Sequence, residues 1–230
     1  MCKGIFITAT GTDVGKTYIS ALLLSKLRNS GINAGYYKPV LSGAEYVNGK
    51  LISGDAAYVC QKGGLPVEPV SLVSYIYREP LSPHLAAQRA GDRIDLAKIE
   101  SDFIRIYQQY DYLIVEGCGG IVCPLRYDEE KILLKDLILK LNMDILIVSE
   151  AKLGSINDAA LTAYYAAQQR IHVSGIILNR YKPRSFMEKD NQNMIASMTG
   201  VPITACVEEG AQELECEIES LLKCFKTIEL

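Results

Sequence analysis

The sequence predicts a single doubly wound, mainly parallel α/β sheet flanked by helices, and three observations lead there. Apolar runs alternate with helix-periodic segments along the chain, which is the rhythm of βα units. Several of those runs are almost continuously apolar, as strands covered on both faces must be. The unusual polar residues, Lys38, Glu116 and Asn179, fall at the carboxyl ends of strands, where ligands of such sheets bind.

The first strand, over 4–9, opens directly onto Thr10-Gly11-Thr12-Asp13-Val14-Gly15-Lys16-Thr17, and a helix is expected at once over 16–30. In that context a glycine-containing loop ending in Gly-Lys-Thr turns backbone N–H groups and a helix dipole toward phosphate oxygens. Lys16 reaches the terminal phosphates and the Thr17 hydroxyl suits Mg2+. The usual first glycine of the pattern is replaced by Thr10, with Gly11 one step later. Even so, strand, loop and helix fall in order, which makes the fold the phosphate-loop nucleoside triphosphatase type.

Further strands are expected over 33–38, 112–116, 144–149, 173–178 and 203–207, and helices over 96–110, 133–141, 155–170, 185–199 and 212–224. The stretch 40–95 breaks the rhythm with Gly, Pro, Ser and Tyr and reads as an elaborated connection near the active face. At 230 residues the chain fits one domain, taken as 1–230. A net charge of −3 argues against nucleic acid and anionic membrane as partners and favours a small soluble ligand. Seven cysteines without a C-x-x-C pair suit reduced thiols in a cytoplasm, and neither a signal peptide nor a membrane span is expected. Cys118 and Cys123 read as small packed apolar residues. His172 reads as a surface residue and His84 as the start of a helix.

Lys38 closes the second strand in Tyr37-Lys38-Pro39-Val40-Leu41-Ser42-Gly43. A lysine there is costly without an anionic partner, although a snorkelling edge lysine is the plainer alternative. Glu116, before Gly117-Cys118-Gly119-Gly120, serves either as a Mg2+ ligand or as a helix cap. Asp55, after Ser53-Gly54, carries the same two readings.

These segments resemble the dethiobiotin synthetase family. The likeness rests on Thr12 to Thr17, on Tyr37-Lys38-Pro39-Val40 through Ser42-Gly43, on Gly54-Asp55 and on Val115 to Gly120 leading to Pro124-Leu125. Leu153-Gly154-Ser155-Ile156-Asn157 and Gly175 to Arg180 complete it. The resemblance implies that 7,8-diaminononanoate, CO2 and ATP yield dethiobiotin, ADP and phosphate through a carbamate and a carbamic-phosphoric mixed anhydride. It implies catalytic roles for Lys16 and Lys38, and Mg2+ held by Thr17, Asp55 and Glu116. ATP would meet Asp13, Val14, Gly15, Lys16, Thr17, Tyr18, Asp55, Glu116, Gly117, Cys118, Gly119, Asn179 and Arg180, with Asn179 on the adenine edge. Thr12 and Ser42 would contact the diamine and carbamate. Leu153, Gly154, Ser155 and Asn157 would bind the substrate carboxylate from a partner subunit, which implies a homodimer.

Three departures from the family stand out: Asn157 is followed by Asp158, the segment 204–209 lacks a proline, and Asp13 is shorter than the acid of some relatives. A partitioning-type ATPase switch and the synthetase half of a cobyrinate-type amidotransferase are the alternatives. The first usually has an early loop lysine where this chain has Thr10, and the second needs a glutaminase domain. A non-catalytic nucleotide-binding module is a third, opposed by the pairing of two lysines with two carboxylates. Lys38→Ala is expected to abolish turnover with little loss of folded protein.

Overall fold

A computed structural model describes residues 1–47 and 50–229. The chain order begins β1 (Lys3–Ala9), α1 (Lys16–Asn29), β2 (Ala34–Ser42), β3 (Glu45–Val47), β4 (Lys50–Ile52) and α2 (Gly54–Lys62). A 3-10 turn (Pro69–Leu72), β5 (Val73–Tyr77), α3 (Pro83–Arg89), α4 (Leu96–Tyr107) and β6 (Tyr112–Glu116) follow. Next come β7 (Pro124–Tyr127), β8 (Lys131–Leu133), α5 (Leu134–Lys140), β9 (Ile145–Glu150) and α6 (Ser155–Gln168). The chain finishes with β10 (Val173–Asn179), α7 (Phe186–Thr199), β11 (Ile203–Val207), α8 (Ile218–Leu222) and β12 (Lys226–Thr227).

The main sheet has the order β11-β10-β9-β1-β6-β2-β5, and every neighbouring pair along it is parallel. The short strand β12 runs antiparallel to the start of β1, pairing Lys3 with Thr227 and Gly4 with Lys226. β9 joins β1 only from Phe6 onward, so β12 completes that edge of the ladder. Central strands are buried on both faces: Ile5, Phe6, Ile7, Leu113, Ile114, Val115, Ile145 and Ile147 are fully enclosed. Helix α1 adds Ile19, Leu22, Leu23, Leu24 and Leu27, each stabilising by about 2 kcal/mol when taken from water.

Because β6 is inserted between β1 and β2, the loops leaving β1, β2 and β6 open side by side at the carboxyl edge. Lys38 and Glu116 are thereby brought next to the phosphate loop. The second strand is longer than its sequence suggests, since it passes through Lys38 and Pro39 to Ser42 instead of closing at Lys38. Its extra length pairs with β5, Lys38 opposite Val73 and Val40 opposite Tyr75, a strand hidden inside the irregular 40–95 stretch.

The helix expected over 212–224 forms only as α8. In the segment before it, Leu214, Cys216 and Ile218 alternate with Glu213, Glu215 and Glu217, which gives a period of two. Like charges at i,i+4 further oppose a helix there.

Candidate active site

The loop between β1 and α1 reaches its shape through two left-handed residues, Asp13 (φ 59°) and Gly15 (φ 98°). A Cβ on Gly15 would stand 2.1 Å from Nδ2 of Asn179, so glycine is required both for the backbone and for the close approach of β10. Asn179 donates from Nδ2 to the Val14 carbonyl at 2.9 Å, and its Oδ1 is buried without a partner. Lys16 is buried and its Nζ donates to the Gly11 carbonyl at 3.1 Å, folded back along the loop.

Beside the loop lies a charged cluster. Lys38 is 3% exposed, and its ammonium stands 2.6 Å from Oε1 of Glu116 and 2.7 Å from Oδ2 of Asp55. Glu116 is fully enclosed. Its Oε1 also accepts from the Thr17 hydroxyl at 2.8 Å, while its Oε2 accepts from the hydroxyl of buried Tyr36 at 2.9 Å. Burial alone would push the Lys38 ammonium down, but Glu116 and Asp55 outweigh it and hold the group above the ordinary lysine range. Burial likewise opposes ionisation of Asp55, and Lys38 overcomes it, leaving that carboxyl below its usual value. Lys16 moves the other way, lowered by burial and then by the like charge of Lys38.

Lys38 is therefore no snorkelling edge residue, and Glu116 caps no helix: both belong to one buried ion-pair network. Removing one member of such a pair costs about 3–5 kcal/mol. This argues against the expectation that Lys38→Ala leaves the folded protein nearly undisturbed.

A cavity of about 840 Å³ gathers most of the residues singled out from the sequence. Thr12, Asp13, Gly15, Lys16, Thr17, Tyr18, Lys38, Ser42, Asp55, Glu116, Cys118, Gly119 and Arg180 line it. Val14, Gly117 and Asn179 lie just behind that wall, Gly117 so tightly that a Cβ would come within 2.8 Å of Phe6. Tyr18 donates its hydroxyl to the Ala211 carbonyl, tying the start of α1 to the segment after β11.

The segment Leu153 to Asn157 is not part of this wall. Leu153 is 83% exposed and borders a separate polar pocket with Arg180 and Glu150. Arg180, left-handed at φ 55°, donates to Glu150 at 2.8 Å between the two cavities.

Cys118 and Cys123 pack against the core, as small apolar residues at this position would. Both are half-buried on the cavity wall, and Cys123 donates from Sγ to the Pro124 carbonyl at 3.9 Å. The neighbouring Cys123 thiol and burial raise the Cys118 thiol, whereas at Cys123 the neighbouring Cys118 thiol outweighs burial and lowers it. Tyr36 was also missed as a site residue. The available signal was its position two residues before Lys38, which puts both side chains on one face of β2.

A parallel sheet with a phosphate-type loop, two lysines and two carboxylates at its switch point defines a nucleotide-binding α/β domain. Consistently, residues 3–213 match the AAA domain family. Among solved structures, the MinC:MinD cell division complex of Aquifex aeolicus covers 92% of this chain and 83% of its own at 17% identity, with a TM-score of 0.56, a likeness of fold. The ATP-dependent dethiobiotin synthetase BioD of Clostridium botulinum (strain Alaska E43 / Type E3) is 46% identical over 228 residues, 99% of this chain and 100% of the relative. The protein of the same name from strain Eklund 17B / Type B is 43% identical over the same length. The chain belongs to the dethiobiotin synthetase family.

Proposed function

We propose that this chain, acting as one domain over 1–230, joins 7,8-diaminononanoate and CO2 at the expense of ATP to give dethiobiotin, ADP and phosphate. The observation that carries this reading is the placing of Lys16 and Lys38 with Thr12 and Ser42 on one cavity wall beside the phosphate loop. One amine takes up CO2 and loses a proton to become a carbamate. A carbamate oxygen attacks the terminal phosphorus and ADP departs. The second amine then attacks the carbonyl carbon of the mixed anhydride and loses a proton, expelling phosphate and closing the ureido ring. At each stage negative charge gathers on oxygens between reactants, and two fixed ammonium groups stabilise it by position and field. Thr12 and Ser42 would orient the diamine and the carbamate.

ATP would lie along residues 13–18, Gly117, Cys118 and Gly119, with Asn179, whose Oδ1 is buried without a partner, at the adenine edge. Arg180 would border the base. The oxygen donors Thr17, Asp55 and Glu116 fit Mg2+, a reading supported by the Lys38 ammonium paired with both carboxylates. No cluster of three or more acidic, His or Cys residues exists among the described residues, so phosphate and water oxygens would complete the shell. Bound there, Mg2+ would neutralise phosphate charge.

A homodimer is supported by the exposed apolar residues Val122, Leu161 and Tyr164, which flank a groove of about 570 Å³ beside the loop, together with Leu153. In such a dimer Leu153, Gly154, Ser155 and Asn157 would meet the substrate carboxylate in the neighbouring subunit's cavity. A cytoplasmic setting is supported by seven free cysteines, and the net charge of −3 favours neither nucleic acid nor membrane. No helix among the described residues is long and apolar enough to cross a membrane.

The test is ADP release with Mg2+ and bicarbonate, with and without the diamine, alongside mass detection of the product. Stoichiometric ureido product is the expected result. Hydrolysis indifferent to the diamine would overturn the reading in favour of an ATPase switch.

A further inference from the structure

Glu116 presents its two oxygens to different surroundings. Oε1 faces Thr17 and Lys38, whereas Oε2 is turned to the Tyr36 hydroxyl at 2.9 Å. Tyr36 and Glu116 are both fully enclosed, on adjacent parallel strands that pair Tyr36 with Ile114. The phenol therefore has no water to turn to. If both carboxylate oxygens were to bind one cation, a buried hydroxyl would lose its acceptor.

We propose that Tyr36 is a positioning residue that makes Glu116 a one-oxygen ligand and thereby favours Mg2+ over Ca2+. The inference rests on the metal reading above and deepens it. Mg2+ takes an octahedral shell of single oxygens, mostly water and phosphate, at short range. Ca2+ takes more ligands at longer range and commonly engages a carboxylate through both oxygens. Holding Oε2 away removes the second oxygen and leaves a site of the smaller coordination number. Tyr37, one residue on, faces the opposite side of β2, where its hydroxyl meets Ser74 and the Ile99 carbonyl. It serves as the control for a lost buried phenol.

The experiment is calorimetric titration of ADP into the whole protein in excess Mg2+, in excess Ca2+ and in chelator, for wild type, Tyr36→Phe and Tyr37→Phe. In wild type, Mg2+ should favour ADP binding over Ca2+ by about tenfold. In Tyr36→Phe that ratio should fall to within about twofold, with chelated binding unchanged. Tyr37→Phe should keep the wild-type ratio. An unaltered ratio in Tyr36→Phe, or an equal fall in both variants, overturns the role of Tyr36 while leaving the metal reading intact. ADP binding indifferent to either ion in wild type overturns both. Should Tyr36→Phe fail to fold, Tyr36→Met, which also lacks the hydroxyl, is read by the same ratio: a fall to within about twofold upholds the role of Tyr36 and an unaltered ratio overturns it.

Discussion

Lys38 carries more of this molecule than its sequence position suggests. Enclosed with Glu116 and bridging to the partly exposed Asp55, it neutralises two carboxylates that would otherwise face each other. Lys38→Ala should abolish turnover and also lower stability by about 3 kcal/mol, the low end for a broken buried pair because Thr17 and Tyr36 still hold Glu116. Denaturant unfolding checks the second part, and an unchanged midpoint would contradict it. The two lysines should also separate on the alkaline side. Lys16 lies below the ordinary value of 10.5, so ADP affinity should weaken as pH rises through that lowered value, where Lys38 still keeps its proton. Lys16→Arg should move the decline upward, as ADP titrations up to about pH 10.5 would reveal. For folding the signs differ. The Lys38 contribution is complete below 10.5 and is lost only above its raised folded value. That of Asp55 is present above the ordinary carboxylate value and disappears as pH falls through its depressed one. Lys16, Lys38, Glu116 and Asp55 were legible in the sequence because each breaks an apolar pattern or follows a glycine. Tyr36 was not, because an aromatic residue in a strand looks like core until its hydroxyl is seen to have a partner.

At the scale of elements, the loop from β1 to α1 depends on a glycine that has both an unusual backbone and no room. Gly15→Ala should cost about 1–3 kcal/mol through the left-handed backbone and, by displacing Asn179, weaken ADP binding as well. Thermal melts with and without ADP would separate the two losses; equal shifts in both would place the damage in the fold alone. The strands of the central sheet were readable from near-continuous apolar runs. β5 was not, since it is a half-buried edge strand following a Pro-containing turn. The hairpin of β7 and β8 was hidden for a related reason: its strands are short and carry Arg126 and Lys131. The false length given to the last helix came from composition, where Glu and Leu favour a helix that the alternating order of those residues does not.

For the whole molecule, the sheet order explains why residues from positions 12 to 180 converge on one cavity. The fold class was legible because alternation of strands and helices leaves few topologies open, and a crossover connection between parallel strands is nearly always right-handed. The proposed dimer face was not legible from periodicity, because an exposed Leu or Tyr has no periodic signature. Leu161→Glu combined with Tyr164→Glu should convert a dimer to a monomer in sedimentation experiments without lowering the melting temperature. A wild-type monomer at micromolar concentration would remove that face from consideration.

The ammonium lodged between Glu116 and Asp55 also separates making the protein from arming it. A chain whose acidic site brings its own counter-ion reaches its final shape without waiting for a mineral, unlike small domains that stay unfolded until metal arrives. Chelation should thus leave the melting curve of the ligand-free protein where it was.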